Sequence, residues 1–241
     1  MAKASITATY QGQVIRQDTS SSTINWLSTT RNATTGTGAT TYTSATSTQV
    51  RSEYTEQKGT YFSINERIFL FFDLSSINGT ITAADLNVYN PSTVSSTNDI
   101  DCVEASAWGG DGSSSTLATS DYDNVAFLGT GTAYAALLSW SSLSYNTFNI
   151  GAAGLSAMNS DGYFNCALMT EDYDYRGINL TLGQDISFPI RAKDGSNPIY
   201  LEITYTPQTG YSHSVNGVGS SSIVSVNTVA TASIANIIGV S

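Results

Sequence analysis

The densest run of ionisable side chains is Thr170-Glu171-Asp172-Tyr173-Asp174-Tyr175-Arg176-Gly177. Three carboxylates so close together are raw material for a Ca²⁺ site, because that ion gathers about six to eight oxygens from carboxylates and backbone carbonyls. Glu171, Asp172 and Asp174 are therefore candidate Ca²⁺ ligands. The plainer reading is a solvated acidic loop, partly neutralised by Arg176. Tyr173 and Tyr175 alternate with these acids, which makes them candidates for contact with a sugar ring or a neighbouring subunit. A second acidic stretch, with Asp111, Asp121 and Asp123, is more widely spaced.

Other chemistries have less to build on. His213 is the single histidine, and no Cys, His or carboxylate lies at metal spacing from it. A Ser-His-Asp triad would need that residue, and the chain has no G-x-S-x-G turn. No glycine-rich phosphate loop precedes a helical pattern. Hydrolysis by two carboxylates stays open as an alternative, since any two of the 19 acids could converge in the fold. The chain is read as non-enzymatic. Cys166 alternates with Phe164 and Leu168, and Cys102 lies two residues from Ile100. Both fit small buried side chains on strands, with a disulfide between adjacent strands as the alternative. Trp108 and Trp140 are expected to cap a core rather than stack on sugars.

These residues need a scaffold, and the composition indicates which kind. Only 12% of the 241 residues are charged, 10% are aromatic, and Ser, Thr, Gly, Asn and Tyr are abundant. That favours β-sheet with many turns over long helices. The net charge is −10 and the nine basic residues are scattered, so no nucleic-acid partner is expected. The longest run of large apolar residues, Ile68 to Phe72, is far too short to cross a membrane, and the N-terminus lacks a signal-peptide core. No membrane partner is expected either.

Residues 5–16 alternate as a first strand, followed by Thr/Ser-rich loops or exposed edges over about 20–55. Ile68 to Phe72 is continuously apolar, which predicts a strand covered on both faces. Asn78-Gly79 predicts a turn, after which Leu86, Val88 and Asn90 share one side of the next strand. Further strands are expected over Ile100–Trp108, Tyr134–Trp140, Tyr145–Ile150, Gly162–Met169, Asp185–Ile190 and Ile199–Tyr205. Turn clusters such as "GGDGSSS", "NSDG" and "AKDGSNP" separate them. No convincing helix interrupts the series, although "LGTGTAYAALLSW" is a candidate for a short one. The fold class is all-β: an antiparallel β-sandwich or jelly roll over residues 1–205, a linker over 206–214, and a short repetitive extension over 215–241.

That extension, Val215 to Ser241, carries no charged side chain and repeats with a period of 11. Val215, Val226 and Ile237 open the units, Val218, Val229 and Val240 take the fourth position, and Ile223 and Ile234 the ninth. This period permits one apolar helical face. Its Gly, Ser, Thr, Asn and Val content favours strands instead, with Asn216-Gly217 as a hairpin turn. Burying its Val and Ile side chains does not offset the entropy of ordering 27 residues without contacts from outside the segment. Those side chains, with Ile238, are therefore expected to mediate assembly.

The segment "RIFLFFDLSS-INGTITAADLNVY", Arg67 to Tyr89, resembles the opening of DNRLRE-type β-sandwich domains: an Arg, an apolar strand ending in "FD", a short turn and a strand ending in "LxxY". The later "CVEASAW", "TSDYD" and "PIYLEITY" are similar to the same pattern, so the resemblance spans about residues 60–205. The repeated "VNGV…IGVS" resembles the C-termini of tailed-phage structural proteins. Together these resemblances imply a virion structural protein: a capsid decoration, cement or surface appendage subunit at the virion surface. Its partners would be copies of itself, as a homo-oligomer such as a trimer, and other virion proteins. The alternatives are a glycan-binding host-recognition module of a tail or head fibre and, less favoured, a polysaccharide hydrolase. No cofactor is expected other than the Ca²⁺ weighed above.

Overall fold

The computed structural model describes residues 1–93, 98–128, 131 and 133–208, with the backbone of 225–226 and 229–230. Two antiparallel sheets form a β-sandwich. The smaller has four strands: β1 (Ala2–Thr7), β12 (Tyr200–Pro207), β6 (Gly79–Tyr89) and β9 (Tyr145–Asn149), in that order across the sheet. The larger is built around β5 (Thr60–Asp73). One edge of β5 pairs with β2 (Tyr10–Ser20), which in turn carries β3 (Gly38–Thr41). The other edge forks. β4 (Thr46–Gln57) pairs with residues 60–66, and β10 (Tyr163–Thr170) takes over from Ile68 to Asp73. Beyond β4 lies β11 (Gln184–Ala192), and beyond β10 lie β7 (Ile100–Glu104) and β8 (Ala133–Leu137). Arg67 stands at the fork.

Side chains alternate across a strand, so β5 serves two cores. Ile68, Leu70 and Phe72 point into the space between the sheets, where they meet Leu86, Val88, Phe148, Phe188, Leu201 and Ile203. Cys102 and Cys166 lie in this core as free thiols on neighbouring strands, two register positions apart. Burial pushes the Cys102 thiol up, and the adjacent Cys166 adds to that. Trp140 meets Phe188 edge to face there, with ring centroids 5.8 Å apart. Phe69 and Phe71 point the other way and are covered by Trp108, Leu117, Tyr122 and Tyr175 from the connecting loops. A strand covered on both faces is what a continuous apolar run requires.

Several expectations need correction. The N-terminal stretch is two strands in different sheets, with the chain crossing over at buried Ala8. The Thr/Ser-rich region, expected as loops or exposed edges, contains the edge strand β3, but from Thr46 it also forms a strand inside the larger sheet. Its polar Ser52 is buried by pairing with Asn65 rather than by apolar contact. The stretch suspected of hiding a helix contains strand β8, Ala133–Leu137. Among the described residues there is one α-helix, α1, which spans Ala152–Asp161 and ends at Gly162 in the left-handed conformation that favours glycine. β7 stops at Glu104, and Trp108 begins a turn. β12 runs on to Pro207, two residues into the expected linker; 209–214, with His213, lie outside the described residues.

Candidate functional site

The acidic loop after β10 is a single π turn, Glu171–Tyr175, closed by the Arg176 N–H donating to the Glu171 carbonyl at 2.8 Å. This turn rotates the three candidate carboxylates apart. Asp174 turns inward to fully buried Arg67, which donates to its two oxygens at 2.7 and 2.6 Å. Arg67 also donates to the carbonyls of Tyr122 and Arg31, and its guanidinium lies 3.9 Å from the Tyr122 ring centroid. A second π turn, Leu27–Arg31, supplies Arg31, whose Nε donates to the Asp174 carbonyl at 2.7 Å. Desolvation lowers the pKa of this guanidinium, with Asp174 opposing. The polar chain continues: Tyr122 Oη donates to the Thr30 carbonyl and accepts from Asn65 Nδ2, both at 2.9 Å. A buried ion pair needs this saturation to persist away from water.

Glu171 faces outward of this network and pairs with Arg176. Its other oxygen, Oε2, is buried without a hydrogen-bond partner. Its N–H donates to the Asp99 carbonyl at 3.1 Å, which brings the Asp99 and Asp101 side of β7 alongside. Burial, then the neighbouring Glu171, pushes the Asp101 carboxyl up to about 7. Asp172 is exposed, 3.9 Å from Arg176. Glu171, Asp172 and Asp174 thus do not converge on one point. Among the described residues no group of three or more His, Cys, Asp or Glu is arranged to hold a metal ion. Tyr175 is buried in the outer core. Tyr173 packs beside Trp26, Tyr54 and Leu180, and its Oη accepts from Gln184 at 3.0 Å. Tyr175 therefore presents no free stacking surface, whereas Tyr173 is half-buried.

Of the assembly residues, Val215, Val218, Ile223, Ile234, Ile237, Ile238 and Val240 lie outside the described residues. The backbones of Val226 and Val229 pair directly in a short antiparallel ladder with Ser225 and Ala230.

One concave region of the surface is built from residues that, Asp111 apart, the sequence did not single out as ligand contacts. Thr9 and Tyr10, where the chain turns from β1 into β2, separate two adjoining hollows of about 250 and 570 Å³. In the smaller, Tyr10 and Tyr163 flank Phe71, with ring centroids 5.8 and 5.3 Å away, and Tyr10 rests on buried Trp108 at 5.4 Å. Gly112 closes over Phe71; a Cβ there would lie 2.4 Å from the ring, so only glycine fits. Asp73 and Asp111 stand at the rim. Hydrogen bonds from Ser75 and Ser113 hold these two carboxylates below their ordinary pKa. In the larger hollow the hydroxyls of Thr43, Ser115 and Thr116 have no hydrogen-bond partner among the described residues. Lys193 lies beside them, its Nζ donating to the Thr9 carbonyl at 3.0 Å. The arrangement offers half-exposed aromatic rings, two ionised acceptors and several free hydroxyls, with no histidine or thiol among its lining. No protein-family model matches the chain, and no curated protein matches it.

Proposed function

We propose that this protein is a non-enzymatic structural subunit of a phage virion, a capsid decoration, cement or surface appendage, that assembles through its C-terminal repeat. The observation that carries the reading is the hairpin of the second repeat unit. Val226 and Val229 are positions one and four of that unit, and their backbones pair antiparallel with two residues of sequence between them, positions two and three. Asn216-Gly217 occupies the same two positions in the preceding unit and is stronger turn chemistry. An isolated two-stranded hairpin is marginal in water, so a tail of such hairpins gains stability by stacking on copies of itself or on another protein. The body supports the role by its form: a sandwich covered on both faces of its large sheet, with β12 delivering the chain to the tail at Pro207.

Truncation after Pro207 tests this. The full chain should be multimeric by light scattering, and the truncated body monomeric with an unchanged β-type circular dichroism spectrum. A truncated body that stays multimeric removes the tail from the assembly mechanism.

A further inference from the structure

We propose that the groove around Tyr10 binds a neutral oligosaccharide, with Tyr10 and Tyr163 as stacking surfaces and Asp73 and Asp111 as acceptors for sugar hydroxyls. This goes beyond the assembly role and does not depend on it.

A pyranose presents C–H bonds on its faces and hydroxyls around its edge. Its recognition needs an aromatic ring open on one side and polar groups at the rim. Tyr10 and Tyr163 are half-buried, each backed by Phe71, so both are held rigidly at the surface. Asp73 and Asp111 are exposed and kept ionised by their serine neighbours, ready to accept charge-assisted hydrogen bonds from hydroxyls. Lys193 uses one of its three Nζ protons on Thr9, leaving donors for ring or hydroxyl oxygens at the far end. The two hollows, adjoining at Thr9 and Tyr10, suit a chain of several sugars rather than one.

Two further observations converge on the same groove. Among the described residues four non-glycine residues have a left-handed backbone; one of them, Lys193 at φ 51°, lines the groove, and another, Trp108 at φ 61°, lies buried against Tyr10. Such conformations are strained and cluster where a side chain must be aimed. The acids also set the ligand's charge. Asp73 and Asp111 in a chain of net charge −10 disfavour uronic and sialic acids. Cleavage of a glycosidic bond needs one carboxyl held protonated as the acid. Asp73 and Asp111 are both exposed, without the apolar surroundings that would hold such a proton, so the proposal is one of binding rather than cleavage.

The test uses the full chain, with maltohexaose, cellohexaose and mannohexaose as neutral probes and hexagalacturonate as the anionic one. Saturation-transfer NMR and calorimetry read the binding. At least one neutral probe should bind, and hexagalacturonate should not. Tyr163→Ala and Asp111→Asn should each raise Kd about tenfold, the weight of one aromatic or charge-assisted contact. Tyr163→Phe should bind as the parent does, and a matched thermal melt excludes a folding defect. The proposal is overturned if no neutral probe binds at millimolar concentration, if only the anionic one binds, or if both weakening variants bind like the parent. Release of reducing ends overturns the retention of an intact ligand. Oligomeric state is read separately, so failure here leaves the assembly proposal standing.

Discussion

On the inner face of β5, Ile68, Leu70 and Phe72 lie among apolar side chains and two thiols. On its outer face Phe69 and Phe71 adjoin a buried arginine, a buried aspartate and a chain of hydroxyl and amide groups. The inner face is a contact between two sheets. The outer face is a contact between a sheet and loops, and loops bring backbone carbonyls that must be satisfied. Arg67 answers that need for the carbonyls of Tyr122 and Arg31 while it binds Asp174. Hydrocarbon holds the sheets together; a polar clamp fixes the loops.

The comparison breaks most readily at the clamp. Arg67→Met leaves Asp174 buried without its bidentate partner and should cost about 3–5 kcal/mol in urea unfolding. Adding Asp174→Leu should recover much of that loss, because two apolar groups then replace two charges. A single substitution costing under about 1 kcal/mol would mean the loops hold without the pair. Leu70→Ala probes the other face. It should cost roughly 3 kcal/mol through lost burial and the cavity left behind, with no second change on the clamp side able to restore it.

The smallest effect refines the comparison at the margin of the outer face. Asp101 keeps its proton in the folded protein up to about pH 7, whereas the unfolded chain releases it near pH 4. Between those values the unfolded state holds fewer protons, so this group makes stability fall as pH rises, and the penalty is complete above pH 7. Glu171, Asp99 and Asp172 add to it and Arg176 opposes it. Asp101→Asn should therefore raise Tm at pH 8, by on the order of 1–2 kcal/mol in stability, and leave it unchanged near pH 4. An equal gain at both pH values would point to packing rather than charge.

The two faces also differ in how far the sequence discloses them. The run Ile68 to Phe72 announces a doubly covered strand, because burial on both sides leaves no position for a polar residue. Strands β6 to β12 show themselves by alternation and turn residues in the same way. β4 does not, since Ser52 and Glu53 are buried through polar partners and read as loop. Helix α1 is short and rich in Gly, Ser and Asn; its one signal was the pair Gly151 and Gly162 around an Ala-rich run. Arg67 and Asp174 are 107 residues apart, and Tyr10, Tyr163 and Lys193 come from three distant segments. No local period encodes such meetings. The acidic loop showed the chemistry of Glu171 to Tyr175 but not its direction, which the π turn sets.

The pairing of β1 with β12, Ala2 opposite Tyr205, has a consequence in time. β12 is flanked by the first strand of the body and by β6, so the small sheet has no centre until about two hundred residues have been made. During synthesis the inner faces of β5 and β6 therefore wait without their cover, and a chain of such long-range pairings folds slowly. The interval between emergence of Phe72 and arrival of Leu201 is when this protein is most exposed to aggregation. A chaperone or a low growth temperature would help its yield most in that window, with little effect on the finished molecule.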